Sequence, residues 1–572
     1  MMWRIEDSFK KRLQKRLSFL YPQANLNRIL DRIALLVARY ESLSSKVDPS
    51  LWEQNVTILI SYGHMIQEKG TVPLQSLLQF LDSQLQEYIQ GIHILPFFPY
   101  SSDDGFSVID YRKVNPELGD WQDIERIARK YILMVDLVLN HVSKCSSWFQ
   151  DYIGGILPAL DFFIEVDPKT DLSQVARPRT TPLLTPVDTV LGTKWVWTTF
   201  SEDQIDLNYK NPDVLIEMLD ILLFYILKGA RIIRLDAIAY LWKEIGTSCL
   251  NLPQTHEVVK LFRDIIDYLA PGVLLLTETN LPQEDNYSYF GEQDEAHMVY
   301  QFSLPPLLLY SFHHQDSQLL TQWLQNISPP ENCTFFNFTA SHDGIGLRPL
   351  EGLISEKELE NLVQTIQDLG GLVSYRQEKD TQKPYELNIT YFDALKDPED
   401  KDNISLQIQR FLCSQAIMLS LQGIPGIYLP SLFGTSNYYE GVEKNKQNRS
   451  INRPIFQYEE LKNKLNNPKS KEYIVFKEYK KMLLARKNHI AFHHESKQEV
   501  LNLEKGLLGL KRIPGTESES VFCLYNLTKN SRTIPLDKIE SGLNKVKDLL
   551  TDNIISKEIN LPPYGYLWFK PV

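Results

Sequence analysis

Eight short, solid apolar runs, several separated by helix-patterned stretches, predict an α/β chain built on a (β/α)8 TIM barrel. Acidic and polar residues recur at the ends of several runs, and two connections exceed a simple β/α unit. Together these features put a reactive rim at one end of the barrel. The expected layout is a helical N-terminal extension over 1–50, a catalytic barrel over 51–489 and a small C-terminal all-β domain over 490–572. An inserted loop domain, about 145–205, follows strand 3.

Residues 4–45 read as helical. Ile5, Phe9, Leu13, Leu17 and Leu20 repeat at helical spacing, and Leu26, Ile29, Leu30, Ile33, Val37 and Tyr40 form a second stripe after the Tyr21-Pro22 break. Asn25 is placed to cap that second helix. The strand candidates are 56–62, 92–97, 132–139, 232–237, 273–277, 298–302, 335–340 and 424–429, with helical patterns such as 210–228 and 254–269 between them. Parallel strands buried on both faces read as such unbroken apolar runs. The long connections are about 145–205, containing RPRTTPLLTP, and about 344–405. Beyond 490, pieces such as 521–525 and the final LWFKPV read as short strands.

The chain has 572 residues, 43% hydrophobic and 23% charged, and a formal net charge of −12. That balance excludes disorder. The acidity disfavours nucleic-acid partners, so an anionic substrate needs a locally basic pocket. No apolar run is long enough to span a bilayer, and MMWRIEDSFKKRLQKRLSFL lacks the pattern of a secretory signal. Five scattered cysteines fit free thiols in a reducing compartment, which makes the cytoplasm the expected location. Monomer and homodimer both stay open.

The chemistry gathers at strand ends. MVDLVLNH presents Asp136, Asn140 and His141; RIIRLDA presents Arg234 and Asp236; LLLTET presents Glu278; FTASHD presents His342 and Asp343. A carboxylate buried at a strand end costs several kcal/mol unless paired, so acids recurring at one rim mark a site. Such a set suits a divalent-metal site with oxygen ligands or glycosyl transfer by a nucleophilic and a proton-donating carboxylate. Arg234, two residues before Asp236 on the same strand face, is expected to keep Asp236 ionised. Burial and neighbouring acids are expected to raise the pKa of Glu278.

DLVLNH, RLDA, TET and ASHD resemble the four characteristic segments of the α-amylase superfamily of glycoside hydrolases. The resemblance implies Asp236 as nucleophile, Glu278 as acid/base and Asp343 as transition-state stabiliser, with His141, Arg234 and His342 holding one glucosyl ring. HILPFFPYSSDDGFSVIDY, GTSC, QFSLPPLLL, SHDGIG and NRSINR are similar to the sucrose phosphorylase group. That likeness implies that Asp103 and Arg449 grip the far hydroxyls, blocking that end, and that Phe106 and Phe200 line the sugar. It also makes Arg179, beside Arg177 in RPRTTP, the phosphate-facing arginine, with Tyr385 as its companion. Within the group the full-length pattern is most similar to glucosylglycerate phosphorylases. Asn280 and Glu386 stand where sucrose-specific members carry His and Gln, which makes Asn280, Tyr240 and Lys383 acceptor-site candidates and Glu386 a substrate contact.

The resemblance implies a retaining phosphorylase that turns an α-glucosyl substrate, best taken as 2-O-α-D-glucosylglycerate, and inorganic phosphate into α-D-glucose 1-phosphate. Its carboxyl pair should lie about 5–5.5 Å apart. Sucrose, sucrose 6'-phosphate and glucosylglycerol phosphorylases, an exo-α-glucosidase or transglucosidase, and a non-catalytic barrel subunit are the alternatives. The group implies no cofactor and no metal, although Asn140 stands where calcium-dependent relatives have a ligand.

Overall fold

The computed structural model describes residues 5–45, 52–378, 381–515 and 519–572; of the expected N-terminal extension, residues 1–4 and 46–50 lie outside the described residues. Helices α1 (Asp7–Leu20) and α2 (Leu26–Arg39) fall on either side of Pro22. The Asn25 side chain caps α2 by accepting the Arg28 N–H at 3.3 Å. Phe9, Leu13, Leu17 and Leu20 of α1 are buried. They face the barrel's outer helix α4 (Pro253–Leu269), where Phe9 stacks on Tyr268 at 4.0 Å. Arg16 pins this contact, reaching Asp264 at 3.0 Å, Asp294 at 3.1 Å and Glu257 at 3.2 Å. Helix α2 is tied to α3 (Pro212–Leu227) and the residues around it by Arg39 and Tyr40, which meet Asp220 at 3.0 and 2.9 Å.

Eight parallel strands close the barrel in chain order: β1 (Ile58–Ser61), β2 (Gly91–Ile94), β3 (Ile132–Val138), β4 (Ala230–Asp236), β5 (Leu274–Thr277), β6 (Met298–Tyr300), β7 (Thr334–Phe338) and β8 (Ile424–Tyr428). Each lies within or beside one of the eight apolar runs. Most are buried along their whole length, as in Leu274–Thr277 and Ile424–Tyr428. Gly91 shows how closely the strands approach: a Cβ there would meet Ile58 Cδ1 at 2.4 Å and the Ile132 carbonyl at 2.9 Å.

The two longest connections leave the carboxyl ends of β3 and β7. The first carries the antiparallel pair Leu184–Thr189 and Gly192–Trp197, and the second carries Leu372–Glu378 paired with Thr381–Asn388. An isolated bridge between Arg177 and Gln377 joins the two connections. This second hairpin has no counterpart in the strand candidates: its first strand is only partly buried, its second is buried only over 385–388, and neither shows a clear alternation.

The C-terminal part is a six-stranded sheet that begins at Lys497–Leu501 and ends its chain course at Tyr566–Pro571. A buried arginine of the sheet holds it to the barrel: Arg512 donates to the carbonyl of Ser420 at 2.7 Å and to that of His493 at 2.8 Å. Arg486, in the last barrel helix, donates to the barrel carbonyls of Leu419 at 2.7 Å and Gly423 at 2.9 Å. The five cysteines are unpaired. Among the described residues no helix is long and apolar enough to cross a membrane.

Candidate active site

Asp236 is the last residue of β4. The parallel register sets Asp136 of β3 opposite Arg234, and Val138 opposite Asp236. With a side-chain period of two, Arg234 and Asp236 share one face of the strand. Arg234 Nη1 donates to Asp236 Oδ1 at 2.7 Å and also to the Asp136 carboxylate, while its Nη2 stands 4.0 Å from Glu278 Oε2. The chain then turns sharply: Ala237 adopts the left-handed conformation (φ 50°), and its N–H donates to Glu278 Oε2 at 3.0 Å. The turn that ends the strand thus ties the two acids together.

These carboxylates ionise differently. Burial raises Asp136, but Arg234 and His93, whose Nε2 lies 2.6 Å away, overcome it and hold the pKa at about 2. Burial also raises Asp236 and Glu278, with Arg234 opposing, and proximity of negative charge raises each further. Geometry separates the two: the Arg234 contact at 2.7 Å favours charge on Asp236 more than the 4.0 Å approach does on Glu278. Asp343 is also penalised by burial, yet Arg449 and Arg234 bring it below the ordinary carboxylate range. His342 is held neutral by burial and by Arg234 and Arg453.

Arg449 Nη1 meets Asp343 Oδ1 at 2.6 Å, and its other nitrogens meet Glu386 Oε1 at 3.0 Å and Oε2 at 2.6 Å. Gly344 N–H donates to Glu386 Oε1 at 2.9 Å. Both Glu386 oxygens are therefore committed. The residue is buried and stands outside the pocket lining, its oxygens turned to Arg449 and Gly344. Arg453 braces the same rim from the His342 carbonyl at 2.9 Å and from Asp104.

The SSDDGF loop supplies Asp103. Asp103, Asp104 and Gly105 all have positive φ, which aspartate and glycine tolerate best. Asp203 anchors this loop by accepting from Ser101 at 2.6 Å and Ser107 at 2.8 Å. Phe106 stacks on the His342 ring at 4.8 Å. His141 Nε2 lies 2.8 Å from the Phe106 carbonyl and 3.1 Å from Gln204 Nε2. Gln204 lines the pocket and no sequence pattern singled it out; it opens the short strand Gln204–Asp206, which pairs antiparallel with His141–Ser143.

The pocket so built has a volume of about 60 Å³; its lining includes Asp103, Phe106, His141, Phe200, Asp236, Glu278, His342, Asp343 and Arg449. Tyr240, Asn280, Arg179 and Tyr385 also line it. The Arg179 guanidinium lies over the rings of Phe200 at 5.7 Å and Tyr385 at 5.4 Å. It has no acidic partner among the described residues. Asn280 packs against Gly346, where a Cβ would meet its Oδ1 at 2.3 Å, and that Oδ1 is buried without a hydrogen-bond partner. Lys383 is not on the pocket wall. It is half-exposed on the second hairpin and reaches Glu356 at 3.2 Å and Glu378 at 3.8 Å. A long flexible stem takes whichever acid its strand faces.

Beside the pocket, Asn140 does not stand open to a cation. The buried Lys243 ammonium accepts that role, donating to Asn140 Oδ1 at 2.7 Å and meeting Asp206 Oδ2 at 2.6 Å. Asn140 in turn donates to Asp206 at 3.1 Å.

A closed parallel barrel whose strand ends bring three acids round one arginine defines a glycoside-processing enzyme of the α-amylase class. Residues 75–344 match the family model described as "Alpha amylase, catalytic domain". The chain is 50% identical over 472 residues to the glucosylglycerate phosphorylase of Spirochaeta thermophila, covering 82% of this chain and 80% of that protein. It is 43% identical over 543 residues to the Escherichia coli glucosylglycerate phosphorylase, covering 94% and 96%. The crystal structure of sucrose 6F-phosphate phosphorylase from Thermoanaerobacter thermosaccharolyticum superposes with a TM-score of 0.73 at 27% identity, over 84% of this chain and 94% of that one. This chain belongs to the α-amylase family, in the group that contains these phosphorylases.

Proposed function

We propose that the protein is a retaining glucosyl phosphorylase that converts 2-O-α-D-glucosylglycerate and phosphate into α-D-glucose 1-phosphate and glycerate. Asp236 attacks the anomeric carbon while Glu278 protonates the departing glycerate oxygen. Asp343, ionised beside Arg449, hydrogen-bonds the glucosyl 2- and 3-hydroxyls as positive charge builds. Phosphate then attacks the glucosyl ester of Asp236, and two inversions restore the α configuration. Phe106 and Phe200 present apolar faces to the charge-bearing ring, and Asp103, His141, Arg234 and His342 position it.

The observation that carries this reading is the unequal sharing of Arg234: 2.7 Å to Asp236, 4.0 Å to Glu278. It separates an ionised nucleophile from a protonated acid in one pocket. Phosphate rather than water as the second acceptor is supported by Arg179, a guanidinium on the pocket wall with no carboxylate on it. Glycerate as the acceptor is supported by the relatives at 50% and 43% identity and by Asn280, whose unpartnered Oδ1 is free to accept from an acceptor hydroxyl. Five free thiols suit a reducing compartment, the cytoplasm.

The test is incubation with glucose 1-phosphate and, in separate reactions, glycerate, glycerol, fructose or fructose 6-phosphate, with phosphate release measured. Glycerate should lead. Release with fructose alone would shift the reading to a sucrose phosphorylase. Glucose formation independent of phosphate would make it an exo-glucosidase. Arg179→Ala should impair phosphate use more than hydrolysis of the glucosyl-enzyme; equal losses would remove Arg179 from phosphate.

A further inference from the structure

Outside the pocket, and sharing Tyr240 and Tyr385 with it as a common wall, lies a much larger cavity of about 980 Å³. Both long connections contribute to it, fastened by the Arg177–Gln377 bridge. Three arginines line it: Arg177, Arg348 and Arg376. Their charges are not equally balanced. Arg376 is neutralised by Glu378 at 2.9 Å and Glu351 at 3.0 Å. Among the described residues Arg348 reaches only Glu351, at 3.7 Å, an acid already engaged by Arg376. Arg177 donates to the Thr181 carbonyl at 2.6 Å and has no acidic partner among the described residues.

The Nε atoms of Arg177, Arg348 and Arg376 are all buried without hydrogen-bond partners, and that of Arg348 is the atom 3.7 Å from Glu351. Guanidinium groups without a matched carboxylate favour an oxygen anion that brings its own acceptors. Arg348 and Arg179 both act electrostatically on the Tyr240 phenol, which places cations on the two sides of the shared wall. In a chain of net charge −12, this excess of cations is a local inversion of sign.

We propose that this vestibule is a second binding site, for small oxyanions, and that Arg348 determines the enzyme's preference for them over neutral acceptors. The proposal rests on the phosphorylase reading and deepens it. The glycerate carboxylate and inorganic phosphate share the chemistry the cavity selects: compact oxygen anions matched to a guanidinium fork. Held at Arg348 and Arg177, such an anion stands at the wall through which it must pass to reach the glucosyl-enzyme.

The test uses α-D-glucosyl fluoride, a neutral donor, with D-glycerate, phosphate or neutral glycerol as the varied acceptor, on the full-length enzyme. Arg348→Gln should raise KM for the anions by about tenfold, a difference of about 1.4 kcal/mol. KM for glycerol should move less than about twofold. Arg348→Lys, which keeps the charge, should recover most of the loss. Raising salt from about 50 to about 500 mM should weaken anion use more in the wild type than in Arg348→Gln. A rise confined to glycerate assigns the vestibule to the acceptor, and one confined to phosphate assigns it to phosphate; either supports an oxyanion site.

Unchanged KM for both anions, or an equal rise for glycerol, would overturn the proposal. Should Arg348→Gln fail to fold, Arg177→Gln takes its place with the same expected split. Calorimetric titration of the wild type and of Arg348→Gln with phosphate reads the vestibule without turnover, as the difference between the two, so its failure is distinguishable from failure of the phosphorylase reading. A wild type that uses neither anion would sink the latter. A wild type that uses both, with Arg348→Gln binding and using them equally well, would sink only the former.

Discussion

Replacing Glu386 by glutamine keeps the side chain's shape and removes one acceptor. In the native arrangement Oε1 accepts from Gly344 N–H at 2.9 Å and Arg449 Nε at 3.0 Å, and Oε2 accepts from Arg449 Nη2 at 2.6 Å. A glutamine presents one oxygen and one NH2. If the oxygen keeps Gly344 and Nε, the NH2 points at Nη2, donor against donor; the flipped amide clashes at the other pair. At least one charged hydrogen bond is lost, about 1.5–3 kcal/mol. The Glu386 side chain is 2% exposed and that of Arg449 20%, so water restores little of it. Arg449, relieved of one anion, is drawn onto Asp343, which it already meets at 2.6 Å. The Asp343 carboxylate then has less to offer the sugar hydroxyls. Glu386→Gln should lose about 2 kcal/mol of stability, read by chemical denaturation, and about tenfold in kcat for phosphorolysis, with the ranking of acceptors unchanged. A variant as stable as the wild type would refute the hydrogen-bond accounting. A gain of fructose or sucrose use would return Glu386 to the acceptor site and refute its place behind the pocket wall.

Asp236→Asn should lose several orders of magnitude in turnover, and a fluorinated glucoside should label the wild type on the peptide containing Asp236; mass spectrometry finding the label elsewhere would end the nucleophile assignment. Because burial raises the pKa of Glu278, with Arg234 opposing, wild-type activity should fall only as pH rises above the ordinary carboxylate range. Glu278→Gln should lose that limb and most activity on glucosylglycerate, yet still be glucosylated by glucosyl fluoride, whose leaving group needs no proton. Asp136, held at about 2 against the usual 3.8, contributes about 2 kcal/mol of stability that is present above pH ~4 and lost as pH falls through ~2. Asp136→Asn should flatten acid unfolding in that window, and an unaltered profile would show that Arg234 does not hold Asp136 this way.

What the sequence alone could determine was local or periodic. Solid apolar runs mark strands because both faces of a barrel strand are buried, and the acid closing such a run must face the rim; Asp236 and Glu278 were legible for that reason. Pro22 and Asn25 marked the break between α1 and α2, since a missing donor and a capping oxygen act within one turn. The pairings that give each acid its charge state were decided only by tertiary structure. Arg449 meets Glu386 across 63 residues, and Arg453 meets Asp104 across 349. Neither separation leaves a periodic trace, because the contact exists only once two connections have folded over the barrel mouth. That is why Lys383 and Glu386, close along one strand, part ways: Lys383 faces the acids Glu356 and Glu378, and Glu386 is buried beneath Arg449. A register shift lies between them: Lys383 pairs with Arg376 and Glu386 with Ser374, and the ladder is irregular between Ser374 and Tyr375.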